Sequence, residues 1–400
     1  MAIIEEHIKL GDRRIVGQQD ALEQVKRIFL SDRLSHAYLI TGPEGSGKTA
    51  FALMMAEAIN GVDNLTDLKG NARSRKSSWF SHPDIHLFIP LPTSSSISEL
   101  TERQQMLAED PYEIVDFSMR PELGKDNSSK NKRAFYYIDY YREEIRPKTV
   151  LKPNEGRRTI MILTGIDTMR KEAANAFLKL LEEPSGDVMF ILTADKTDQL
   201  LPTIMSRCQQ IRLNPLSHDE VKHGLMTYDG YSEEDAAFLA RISGGDYSKC
   251  RFLDLKTLQS TRKQTVDYLR YAYTQDAHAL IKLVDGWQSN LNLESQIALS
   301  NTLEQLLRDI MVYRETANDS LITNIDQIDV IKKFCDSLQD ARLERMIEEL
   351  RDLKALFYNN VQFKLIFTVL AFRFGSLMRG NEPLINEETA WKHLPAFSES

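Results

Sequence analysis

What the chain has little of narrows its reading first. It has three cysteines in 400 residues, Cys208, Cys250 and Cys335. They lie far apart in sequence, so neither a zinc module nor a disulfide framework is indicated. No apolar run approaches the length of a membrane span, and Met1-Ala2-Ile3-Ile4-Glu5-Glu6 lacks the pattern of a signal peptide. A reducing, cytoplasmic setting is the expectation. Positive charge is also in deficit: 50 Lys and Arg against 58 Asp and Glu leave a formal net charge of −8. Affinity for a nucleic-acid backbone comes largely from neutralised phosphates, so this chain alone is not expected to grip one. A minor DNA contact inside a larger, more basic assembly stays open. Apolar residues are not scarce: at 42 % of the chain they are enough for two or three domains with real cores.

Against these absences stands one complete motif. Gly42-Pro43-Glu44-Gly45-Ser46-Gly47-Lys48-Thr49 has the form GxxxxGK[ST], which arises by accident in roughly one per cent of chains this long. His36 to Thr41 before it is a short apolar run of strand character, and Thr49 to Asn60 after it is apolar nearly all round, like a buried helix. Strand, glycine loop and helix is the order that phosphate binding needs. Glycines let the backbone turn its N–H groups toward phosphates, and the helix N-terminus adds favourable partial charge. Lys48 would reach the β- and γ-phosphates and Thr49 would bind Mg²⁺, so ATP or ADP is the cofactor to expect. The plain alternative is a glycine-rich turn with a solvated lysine.

The first half of the chain alternates strand-like and helix-like segments, the pattern of a parallel sheet flanked by helices. Gln18 to Leu30 places Ala21, Leu22, Val25, Ile28 and Phe29 on one helical face. Thr159 to Leu163 and Val188 to Thr193 suit central strands. Ala174, Phe177, Leu178 and Leu181 mark a helix between them that Pro184 ends. After Leu213 helical periodicity takes over, as in Leu299, Leu303, Leu306, Leu307 and Ile310, and in Leu343, Met346, Ile347, Leu350 and Phe357. The expected division is an α/β domain over 1–213, a small helical lid over 214–262, a helical domain over 263–380 and a polar tail over 381–400. Residues 93–133, polar at both ends, read as a surface insertion. Its basic end and the cluster Lys69, Arg73, Arg75 and Lys76 offer contacts for nucleic acid or a partner, but composition favours solvated loops.

Four pieces in register now carry a resemblance: Val16-Gly17-Gln18, the loop Gly42 to Thr49, Ala173 to Pro184, and Thr203-Ile204-Met205-Ser206-Arg207-Cys208. His82-Pro83-Asp84 also fits. Together they resemble the AAA+ clamp-loader subunits of bacterial DNA polymerase III, closely over Ser35 to Thr49 and Ala173 to Cys208, and in the last third only in helical character. The resemblance implies a P-loop AAA+ domain, a helical lid and an all-α C-terminal collar at 263–380 that packs in a hetero-oligomeric ring with gamma/tau- and delta-type subunits. It implies ATP at subunit interfaces, contacts with a sliding clamp and primer-template DNA through the assembly, and no membrane. Val16, Gly17, Gly42, Gly45, Ser46, Gly47, Lys48 and Thr49 would form the nucleotide site. Arg207 matches the arginine that points at the γ-phosphate held by a neighbouring subunit. Read without the motif order, Arg207 would be a surface or domain-interface ion pair. Cys208 reads as packing.

The departures from the family are as informative. Its motor subunits end the strand before the Ala-Asn-Ala helix with an Asp-Glu pair that holds Mg²⁺ and polarises the attacking water. Here those positions are Thr164 and Gly165, which supply neither a base nor a charge. Asp167, two residues on, reads as an N-cap of the following helix. The lid motif that carries a γ-phosphate-sensing Arg appears as Gly245-Asp246-Tyr247-Ser248, and Lys249 next to it would point elsewhere. The sensing position after the next strand is altered to Thr193-Ala194-Asp195, and the zinc insert of many relatives is absent between Asn60 and His82. Apart from the Mg²⁺ contact expected of Thr49 with a nucleotide, no metal ligands are therefore assigned in the protein, and no zinc is expected. The pattern looks most like the non-hydrolysing, delta-prime-type ring member, with Arg207 serving a neighbour. Two alternatives are a motor subunit in which Asp167 or Asp195 replaces the missing acids, and an interaction module in which Lys48 and Arg207 are relics.

Overall fold

A computed structural model describes residues 15–31, 33–62, 78–93, 97–117, 134–183, 186–251, 253, 255–290, 293–324, 327–357 and 361–381. The cluster Lys69, Arg73, Arg75 and Lys76, the basic end of the 93–133 segment, Pro184 and nearly all of the polar tail lie outside these residues. The chain divides into two compact units, Met1–Phe252 and Leu253–Ser400.

The first unit is built on a five-stranded sheet in the order β2-β3-β4-β1-β5, every pair parallel. Its strands are β1 (Ala37–Thr41), β2 (Ile85–Phe88), β3 (Thr159–Leu163), β4 (Val188–Ala194) and β5 (Gln209–Arg212). Every residue of β1, β3 and β4 is buried. A parallel sheet covered on both faces demands such unbroken apolar runs, which is why these strands do not alternate. Helix α1 (Gln19–Leu30) buries Ala21, Val25, Ile28 and Phe29 on one face. Helix α2 (Lys48–Asn60) is buried nearly all round, as its composition predicts. Helix α3 (Ile97–Glu109) precedes β3, and α4 (Lys171–Glu182) buries Ala173, Ala174, Phe177 and Leu181. Helices α5 (His218–Tyr228), α6 (Glu233–Ile242) and the short α7 (Tyr247–Arg251) close the unit. Ser217 and Glu220 form a reciprocal capping box at the start of α5.

Two local arrangements differ from what composition indicates. The segment 97–117 is not a solvated loop: Leu100 and Leu107 are buried, and so is Arg103. The Arg103 guanidinium donates to Val115 O at 2.6 Å and lies 3.7 Å from the Phe117 ring centre, so burial leaves its charge satisfied. The second concerns His82-Pro83-Asp84. The buried Asp84 carboxylate accepts N–H bonds from Asn154, Glu155 and Gly156 at 2.7, 2.7 and 2.6 Å. Asn60 at the end of α2 accepts from Arg157 N and Arg158 N at 3.0 and 3.1 Å. These two side chains fix the loop that feeds β3, and thereby the strand that ends at the site.

The second unit is helical: α8 (Leu255–Thr274), α9 (Ala277–Asn290), α10 (Leu293–Thr316), α11 (Ile328–Ser337), α12 (Leu343–Phe357) and α13 (Phe363–Met378). Helix α8 runs without a break through position 262, where the sequence reading divides lid from collar. The core is an apolar cluster with Tyr268, Trp287, Phe367 and Phe374 at its centre. The buried Arg373 and Glu349 pair there at 2.6 Å. No helix among the described residues is long and apolar enough to cross a membrane.

Candidate nucleotide site and a separate arginine

In a parallel sheet, ligands gather beyond the carboxyl ends of the strands, because glycine loops and helix N-termini open there. Here the ends of β1, β3 and β4 bring Glu44, Gly45, Gly47, Lys48 and Thr49 of the phosphate loop, Thr164–Gly165 and Asp195 to one cavity of about 550 Å³, which Gly42 and Ser46 do not line. Gln18 clips the loop in place: its Nε2 donates to Ser46 O at 3.1 Å and to Asn214 O at 2.7 Å. Its Oε1 accepts from Asn214 N at 3.1 Å. Val16 is buried and donates its backbone N–H to the Tyr112 hydroxyl at 2.8 Å. Sequence reasoning missed Tyr112 because its partner lies 96 residues away, in a segment read as surface insertion.

Lys48 is folded inward. Its Nζ lies 3.1 Å from Gly42 O, 2.5 Å from Pro43 O and 2.6 Å from Asp195 Oδ1. An ammonium has three donors, and all three point at oxygens of the chain itself. Gly45 and Gly47 both have left-handed backbone, φ 73° and 85°, which only glycine adopts without strain.

Thr164 and Gly165 follow directly on the end of β3. Thr164 is buried, and its hydroxyl lies 3.4 Å from Phe88 O. Gly165 takes a left-handed turn at φ 59°, and its N–H donates to Thr193 Oγ1 at 3.1 Å. Asp167 is not an N-cap, since the N-cap position of α4 is Arg170 and no side chain caps it. The Asp167 carboxylate instead faces the cavity and accepts the Asp195 N–H at 3.3 Å. Burial pushes the Asp167, Glu44 and Asp246 carboxyls above the ordinary carboxylate range, with Asp195 adding a smaller push in each case. Glu44 also feels Asp246. The wall is thus acidic, which disfavours a bare polyphosphate.

Arg207 lies elsewhere. It follows the short helical turn Pro202–Met205, leads into β5 and does not line this cavity. Its guanidinium donates to Glu182 at 2.7 Å and to Thr203 O at 3.0 Å, with 34 % of the side chain exposed. Cys208 beside it is buried, and burial pushes its thiol up to about 12, so packing is its role.

Two family models match the chain. "DNA polymerase III, delta subunit" matches residues 17–119 and 127–217, and "DNA polymerase III, delta subunit, C terminal" matches residues 257–375. The chain belongs to the DNA polymerase III delta-subunit family. The first match takes in the phosphate loop, α3 with Tyr112, and Arg207, and the second takes in most of the helical unit. The family resemblance drawn from the motifs is thereby borne out. Among curated relatives, DNA polymerase III subunit delta' of Bacillus subtilis (strain 168) is 25 % identical over 348 residues, 86 % of this chain and 92 % of that one. A tau/gamma subunit of Haemophilus influenzae is 25 % identical over 237 residues, 58 % of this chain and 28 % of the relative. A gamma-subunit-related protein of Thermotoga maritima overlies 90 % of this chain and 100 % of its own at a TM-score of 0.41 and 16 % identity. That likeness is too loose to place a site residue.

Proposed function

We propose that the chain works as a delta-prime-type clamp-loader subunit: it hydrolyses no ATP itself and supplies Arg207 to the nucleotide of a neighbouring ring member during loading of a sliding clamp on primed DNA. The observation that carries this reading is a separation. The cavity at Gly42–Thr49 has Thr164 and Gly165 where a motor needs two acids, while Arg207 stands outside that cavity with its guanidinium partly in solvent. Phosphoryl transfer spreads negative charge over equatorial oxygens, and a planar guanidinium can meet that charge in trans. The present hold on Arg207 is weak. Both members of its pair with Glu182 are about a third exposed or more, 34 % and 48 %, and such pairs contribute at most about 1 kcal/mol. A triphosphate across an interface would displace Glu182 at little cost.

The chain's own loop keeps the parts of a nucleotide site. The N–H groups of Gly42–Thr49 would face phosphates, Lys48 the β- and γ-phosphates and Thr49 a Mg²⁺ ion, which would neutralise charge on the phosphate oxygens. The helical unit serves as the collar toward gamma/tau- and delta-type partners. Leu365 and Phe372, 50 % and 57 % exposed, lie two turns apart on α13 and offer apolar contact. A second reading, a motor using Asp167 or Asp195, has one observation in its favour: both carboxylates face the cavity. Phosphate release by the isolated chain separates the two readings. The proposed function expects no turnover above that of Lys48→Ala. Turnover that vanishes in both Lys48→Ala and Asp167→Asn would make the chain a motor.

A further inference from the structure

Three groups with which a phosphate loop meets its ligand are each met by the chain itself. The Lys48 ammonium is taken by Gly42 O, Pro43 O and Asp195. The open side of Gly45 is filled by the Asp246 carboxylate, where a Cβ would have no room. The open side of Gly47 is covered by the Tyr112 ring, 3.0 Å from where a Cβ would stand. Glycines let backbone approach a ligand closely. At Gly47 the close neighbour is an aromatic ring from the segment that follows α3.

Tyr112 is firmly seated. Only 2 % of it is exposed, and its hydroxyl accepts the Val16 N–H at 2.8 Å. Its ring packs edge-on against Tyr247 at 4.8 Å between centres. The Tyr247 hydroxyl donates to Asp229 Oδ2 at 2.5 Å, and Arg251 Nε donates to Asp229 Oδ1 at 3.0 Å. Arg251 also pairs with Asp110, two residues before Tyr112. On the other side Arg103 holds Val115 and Phe117.

We propose that residues 107–117 form a built-in plug of the nucleotide site, with Tyr112 filling the space beside Gly47 that a nucleoside needs and the Asp110–Arg251 pair acting as its latch. The inference rests on reading Gly42–Thr49 as a nucleotide loop. A ribose hangs from its phosphates by one short ester link, so phosphates lying on the loop bring the sugar within a few ångströms of it. A buried tyrosine there cannot share the space. Tyr112 itself lines the cavity that remains, together with Thr164, Asp167 and Asp195, and the same segment adds Glu113 and Asp116. These carboxylates give a polyphosphate no attraction. Binding then requires an open state, and the apparent affinity falls by the fraction of molecules that are open.

Fluorescence titration of the full chain with N-methylanthraniloyl-ATP and Mg²⁺ tests the plug. Tyr112→Ala should bind at least tenfold more tightly than the unaltered chain, and Asp110→Asn should shift affinity in the same direction by less. Adding Lys48→Ala to Tyr112→Ala should abolish the gained binding, which ties it to the phosphate loop. Equal affinities for the unaltered chain, Tyr112→Ala and Asp110→Asn, all lost on Lys48→Ala, would overturn the plug and leave the nucleotide loop standing. No binding in any variant, or binding indifferent to Lys48, would overturn both. If circular dichroism shows Tyr112→Ala unfolded, Asp110→Asn decides: an affinity unchanged from the unaltered chain rejects the plug.

Discussion

Lys48 and Arg207 are the two cations that nucleotide chemistry would use, and the fold holds them in opposite ways. Lys48 is buried at the C-terminal edge of the sheet with all its donors on the chain's own oxygens. Arg207 sits on a turn after the Pro202–Met205 helix with a half-exposed carboxylate for company. A group locked among its own carbonyls is costly to redirect. A group in an exposed pair is not, because water and salt screen what it would lose. Under the proposed function it is Arg207 that serves another molecule.

Substitutions put this contrast to the test. In stability the largest effect is expected at Asp84, which frames the strand leading to Thr164. Asp84→Ala leaves three backbone N–H groups without their carboxylate, and a loss of about 3 kcal/mol in urea denaturation is expected. A loss under about 1 kcal/mol would show that the frame does not depend on it.

A smaller, pH-dependent effect is expected at Asp246. Burial raises its carboxyl above the ordinary range, so the folded chain binds protons more readily than the unfolded one. Stability from this source is present below about pH 4 and is lost as pH rises through the raised value. Glu44 and Asp167, shifted in the same direction, add to the slope. Asp246→Asn keeps an acceptor for the Lys249 N–H and removes the charge. It should be more stable than the unaltered chain at pH 7 and indistinguishable from it near pH 4. The same gain at both pH values would mean the charge is not the cause.

The legible part of the fold was what short-range pattern controls. The unbroken apolar runs of β1, β3 and β4 and the loop between β1 and α2 declare themselves within a few residues. The placement of Thr164 and Gly165 at the strand end was legible for the same reason. The rest depends on distant partners. Asp84 meets residues 154–156, some 70 positions on, and nothing local marks it as an acceptor for three amides. Tyr112 and Arg103 lie in a stretch whose polar ends disguise a packed centre; the role of Tyr112 appears only once Val16 and Gly47 meet it, and that of Arg103 once Val115 and Phe117 do. Asp167 precedes a helix, as an N-cap would, yet its carboxylate turns to the cavity and meets Asp195.

The central contrast is tested most directly in one reconstituted loader, by comparing ATP turnover with Lys48→Ala and with Arg207→Ala in this subunit. Removal of an arginine finger lowers rate by roughly 10³ to 10⁵ at the site it serves. A loss of that order is expected at the neighbouring site for Arg207→Ala, with little change for Lys48→Ala. Turnover that survives Arg207→Ala and collapses with Lys48→Ala would contradict this expectation.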